Sequence, residues 1–194
     1  MKNSLPYFVL LLSILVFQSC KKTEEPEIPA EEIVAIDSLV TEKPGGLYGT
    51  IYRNISEVPG LNDYEKQRGA VIDKNKDSNG DFKYGLSQYG NDKNYVIVLE
   101  ELVREPNNPK SKYKILDTLN INKLNIDEFI TFYNCRLNQE TDSEIIAIVK
   151  SQGNDGIEYF NNIIKAWRAD TKTQRIVPIK DLKGIDCINE GYGI

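Results

Sequence analysis

The sequence predicts an α+β fold: predominantly antiparallel β-sheet with one or two short helices, in a single domain. Three observations lead there. The chain has 194 residues, 40% hydrophobic and 27% charged, an ordinary globular balance for one domain with appendages. Short apolar, β-branched runs bounded by turn residues recur after residue 45. Helical spacing of apolar residues is confined to two brief stretches.

Taken in order, residues 33–40 hold enough apolar content for a first element, and Lys43-Pro44-Gly45-Gly46 then punctuates the chain. The compact domain is expected over 45–194, about 150 residues, which suffices for one core. Residues 47–53 alternate and place Tyr48 and Tyr52 on one face of a strand. Residues 58–67 read as a turn or two of helix. Residues 95–99 (YVIVL) and 144–149 (EIIAIV) are continuous apolar runs, expected of strands covered on both faces. Residues 113–121 (YKILDTLNI) are mixed. At 125–133, Asn125 can cap a short helix with Asp127 and Glu128 in its first turn, and Ile126, Phe129, Ile130 and Tyr133 recur at helical spacing. The Phe and Thr content also suits a strand there. Residues 163–169, 170–174 and 175–179 read as a hairpin, whose second strand should lie at an edge or end at Pro178, which cannot donate to a ladder.

The amino-terminal residues 1–19 have the order of a secretory signal: Lys2, then an apolar stretch interrupted by Pro6 and Ser13, then the small Ser19. Phe17-Gln18-Ser19-Cys20 resembles a bacterial lipobox, with Phe where Leu is usual and Gln where a small residue is usual. The resemblance implies cleavage before Cys20 and acylation of its thiol. Three chains on one cysteine would hold the protein firmly, each buried methylene contributing about 0.8 kcal/mol. Lys21 in place of Asp implies sorting to the outer membrane, on its periplasmic or surface face. Residues 20–44, with Glu24, Glu25, Glu27, Glu31, Pro26 and Pro29, read as an acidic spacer too polar to order itself.

With Cys20 assigned to lipid, Cys135 and Cys187 remain of the three cysteines, an even pair in an oxidising compartment, and are expected to join. The bridge would pin the glycine-rich tail onto the body. Histidine is absent, which removes the commonest general base and argues against a nucleophilic cysteine, a serine triad and a zinc site. Net charge is −5 with no basic patch, so no nucleic-acid partner is expected.

Residues 75–82 (NKDSNGDF) resemble the front half of an EF-hand calcium loop, with oxygen donors at Asn75, Asp77, Asn79 and Asp81 and the turn glycine at Gly80. Leu86 stands where the closing glutamate belongs. A plain polar turn explains the same residues. Calcium is the one cofactor these residues suggest. Asp142 and Glu144 share a strand face and could flank a glycosidic bond, whereas Glu100 and Glu101 point to opposite faces. Asp37-Ser38-Leu39 and Asp117-Thr118-Leu119 are similar to a bacterial O-glycosylation triplet. Among eleven tyrosines, Tyr84 and Tyr89, with Trp167, are candidates for partner recognition, or else core residues. The expected whole is a membrane-anchored, non-enzymatic module binding a protein or glycan. The alternatives are a carboxylate-dependent glycan hydrolase and a calcium-dependent adhesive or structural module.

Overall fold

A computed structural model describes residues 47–105, 108–151, 153 and 156–192. The signal segment, Cys20, the spacer and Ser38 lie outside the described residues. The fold is all β, and the expected α+β class is wrong: strands make up 55% of the chain, helix 2%, and no described helix reaches seven residues.

Among the described residues, three antiparallel sheets carry thirteen strands. Sheet A has the order β1-β5-β4-β3-β2, from Ile51–Tyr52, Asn108–Asn122, Asn94–Glu105, Tyr84–Gly90 and Glu65–Ile72. Sheet B has the order β12-β11-β9-β6, from Arg175–Ile179, Ile163–Asp170, Ile145–Lys150 and Glu128–Phe132. Sheet C has the order β10-β13-β7-β8, from Tyr159–Phe160, Ile185–Ile188, Cys135–Leu137 and Glu140–Thr141.

Side-chain alternation explains the layering. On β9, Ile146 and Ile148 face a core shared with sheet A, while Ile145, Ala147 and Val149 face a second core shared with sheet C. Sheet B is therefore the middle layer, and β9 within it needs apolar residues on both faces. The same holds for β4. Ile97 and Leu99 point inward to sheet B, and Val96 and Val98 point outward to Tyr52, Ile55, Val58 and Leu61 of the segment that covers part of sheet A's outer face.

Neither expected helix forms. Just ahead of the expected 58–67, Glu57 accepts from the backbone N–H of Asn54 (3.3 Å) and of Arg53 (3.1 Å) in one 3-10 turn, Ile55–Glu57, which goes no further. Pro59 disfavours helical backbone at Val58, which is extended at φ −90°, ψ 120°. Residues 65–67, the end of the expected helix, belong to β2. At Asn125 the capping residues close a turn, with Asn125 Nδ2 donating to Glu128 Oε1 at 2.7 Å and Glu128 N to Asn125 O at 3.0 Å. The chain then enters β6, because pairing with β9 buries Ile130 and Phe132, and Ile126 is left fully exposed.

The hairpin forms as expected, β11 pairing with β12 from Ala166↔Ile179 to Asp170↔Arg175. Asp170 organises its turn by accepting from Lys172 N (2.9 Å) and Thr173 Oγ1 (2.8 Å). Pro178 lies on the edge strand of sheet B. Buried Asp117 accepts from the Ile176 N–H at 2.8 Å, which ties β5 to β12 across the sandwich. Cys135 and Cys187 are disulfide-bonded, directly opposite each other on β7 and β13, and both are fully buried against sheet B. Among the described residues, no helix is long and apolar enough to cross a membrane.

Candidate functional site

The outer face of sheet A is only partly covered. Beyond the 47–64 segment it presents a groove of about 290 Å³ lined by Lys66, Gly69, Gly85, Ser87, Glu100 and Tyr113, among others. Register puts these residues together. β3 pairs Ser87 with Val98 and Gly85 with Glu100, and β2 pairs Gly69 with Ser87. Gly85 leaves the floor open: a Cβ there would lie 3.1 Å from the Ala70 carbonyl oxygen and 3.8 Å from Glu100 Oε1.

Glu100 is the chemical centre of the groove. It is 3% exposed, yet continues the outward-facing row that begins with Val96 and Val98. Its Oε2 accepts from the Tyr52 hydroxyl at 2.5 Å and its Oε1 from the Ser87 hydroxyl at 2.8 Å. Tyr52 and Tyr89 hydroxyls lie 3.1 Å apart. Burial pushes the Glu100 carboxyl above the usual carboxylate range, against the opposing pull of the Tyr52 and Ser87 bonds and the Lys66 charge. Burial, joined by the Glu100 charge, also drives the Tyr52 phenol far above its usual value, and burial raises Tyr89. Glu101, on the opposite face, meets Lys114 (3.5 Å) and Lys83 (3.6 Å) instead.

The sequence pair Asp142 and Glu144 does converge, but on cations. Lys74 Nζ reaches Asp142 Oδ1 at 2.7 Å and Glu144 Oε2 at 3.3 Å, and Arg168 Nη1 reaches Asp142 Oδ2 at 2.7 Å and Glu144 Oε2 at 3.1 Å. Thr171 donates to Glu144 Oε1 from its hydroxyl (2.6 Å) and its N–H (3.1 Å). Burial opposes ionisation of both acids, but the Lys74 and Arg168 bonds hold Asp142 below its usual range, and the Thr171 bonds with the Lys74 charge do so for Glu144. A general acid of a glycosidase needs the opposite shift. The cluster instead ties the β2–β3 loop to sheet B.

The calcium-like loop is not organised as a cage. Asn75 donates to Thr171 Oγ1. Asp77 Oδ1 accepts from the Asn79 and Asp81 N–H groups, each at 2.9 Å, and its Oδ2 meets Arg104 Nη1 at 3.1 Å. Arg104 also lies 3.9 Å from Asp81 Oδ2 and donates to the Phe82 carbonyl at 2.9 Å. Asp77 thus anchors an Asx-type turn, and a guanidinium stands beside its second oxygen. Among the described residues no cluster of three or more acidic or cysteine side chains is arranged to hold a metal.

The three aromatic candidates are core residues. Tyr84 and Trp167 are buried between sheets A and B, and Tyr89 lies beneath the 47–64 segment. Tyr48 is exposed and Tyr52 buried, because β1 spans only Ile51–Tyr52. Thr118 is buried within β5. The groove itself was missed. Its signal was a glutamate two residues beyond Val98, in step with the outward row, with glycines at Gly69 of β2 and Gly85 of β3. No protein-family model matches this chain, and no curated protein or solved structure matches it either.

Proposed function

We propose that this is a lipid-anchored protein of the bacterial cell envelope, held at the outer membrane through Cys20, whose β domain is a non-enzymatic binding module. The groove on the outer face of sheet A carries this reading. It combines a desolvated carboxylate, a tyrosine ring and glycine-made relief, the mixture of apolar floor and few aimed polar groups that binding sites use. The carboxylate pair that sequence reasoning offered for hydrolysis is instead neutralised by Lys74 and Arg168. The partner is a protein or a glycan displayed in the envelope. The anchor is tested by intact mass and membrane partition of the full-length chain against Cys20→Ala, where the variant is expected in the soluble fraction without acyl mass. The groove is tested by site-specific photo-crosslinking in cells from Leu102, inside it, and from the exposed Val177 on β12. A partner captured from Leu102 and not from Val177 supports the reading. Equal capture from both, or from neither, overturns it.

A further inference from the structure

We propose that the groove on sheet A receives the ammonium of a lysine side chain presented by a partner protein, in the place that Lys66 fills in the free chain. This rests on the groove being the binding site. A β-bulge between Lys66 and Arg68 sets the arrangement. Lys66 pairs with Tyr89 and faces outward, whereas Arg68 pairs with Gln88 and faces Phe132 of the inner core. Without the extra residue Gln67, side chains two apart would share a face.

The Lys66 ammonium then folds back over the sheet. It lies 5.5 Å from the centroid of the Tyr113 ring. A Cβ on Gly69 would come 3.3 Å from Lys66 Nζ and 3.3 Å from Ser87 Oγ, so the missing side chain is what makes the slot. Ser87 is in turn bonded to Glu100 at 2.8 Å. The slot thus offers an aromatic face, a hydroxyl and a buried carboxylate behind it, the set that recognises an alkylammonium. Among the described residues, Lys66 forms no hydrogen bond or ion pair, so the ring and the field of Glu100 are what hold it. It is a replaceable occupant on an edge strand, where a partner chain has access. A lysine fits because a lysine already lies there, stem over the glycine and charge toward the ring. Glu100 supplies complementary charge without a committed counter-ion within salt-bridge distance.

A resident that fills the slot for about nine-tenths of the time raises the apparent dissociation constant of a competitor about tenfold. The test is an NMR titration of the full-length chain with Nα-acetyl-lysine methylamide, its norleucine counterpart and spermidine. Lys66→Ala is expected to bind the lysine probe about tenfold tighter than wild type, with shifts at Gly69, Ser87 and Tyr113. In that background, Glu100→Gln or Tyr113→Leu is expected to remove the gain, each checked for an unchanged fold by its amide spectrum. Lys172→Ala, which removes a distant charge, is expected to leave the affinity as in wild type. Equal binding of norleucine, no gain in Lys66→Ala, or a gain that survives both second substitutions overturns the proposal. Tighter binding of spermidine than of the lysine probe also overturns it, in favour of a free polyamine. Crosslinking from Leu102 that persists while the lysine probe fails to bind refutes the ammonium assignment alone and leaves the groove standing as a partner site.

Discussion

Opening the Cys135–Cys187 bridge is a test of how the small sheet C is held. The bridge closes 52 residues of chain. In the chain-entropy model a loop of that size restricts the unfolded ensemble by about 4 kcal/mol. For a domain of this length each kcal/mol moves the melting temperature by about 2–4 °C, so reduction should lower it by about 10 °C. Substituting both cysteines by alanine should cost more, because their sulfurs are fully buried among Ile145, Ala147, Val149 and Ile185. Each lost sulfur forfeits burial of about 1 kcal/mol, by analogy with a methylene. The assay is thermal unfolding by circular dichroism of the full-length chain, oxidised, in reductant, and as Cys135→Ala/Cys187→Ala. The order oxidised above reduced above double variant is expected. A fall below about 3 °C on reduction would refute the loop-closure reasoning, since the unfolded chain would then already hold these segments together.

Other outcomes rest on the charged and polar groups. Asp142 and Glu144 are held below their unfolded values, so their contribution is complete above about pH 4 and is lost as pH falls through the folded values. Urea midpoints should therefore decline on acidification, and Asp142→Asn/Glu144→Gln should flatten that decline. Arg168→Met, leaving two acids to one partly exposed lysine, should cost about 1–2 kcal/mol at neutral pH by urea unfolding. Glu100 has the opposite sign. Its folded value is raised, so its favourable contribution is present at acid pH and is lost as pH rises through that value. Glu100→Gln should then raise the urea midpoint at pH 7 more than at pH 4, and an equal effect at both would count against the buried charge. Gln88 Oε1 is buried without a hydrogen-bond partner, so Gln88→Leu should be neutral or stabilising by up to about 1 kcal/mol in the same assay.

Strands were legible where residues of one character fill both faces. YVIVL and EIIAIV announced layers on either side, and β4 and β9 are covered on both faces. The hairpin and its edge position were legible from Pro178 and the polar turn. The cysteine pairing was legible by elimination once Cys20 was set aside. Helices were over-read because residues 58–67 form turns and the start of β2, and the capping signal at Asn125 is satisfied in a single turn. Distant partners then select the next element, β3 for β2 and β9 for β6. The aromatic candidates failed for a related reason: a tyrosine in a strand reveals its side of the sheet only when the neighbouring strands are known. Glu100 was hidden because register, not spacing, brings it beside Ser87 and under Tyr52. The acids at 142 and 144 were correctly placed on one side, but Lys74 and Arg168 come from elements far away in sequence.

The place of β13 in sheet C has a bearing on biogenesis. It is the last strand among the described residues, yet it sits inside its sheet, flanked by β10 and β7. A polypeptide that emerges from its amino end must therefore hold β10 and one edge of β7 unpaired, and Cys135 as a free thiol, until Ile185–Ile188 arrives. Oxidation of that pair would mark the moment when sheet C is complete.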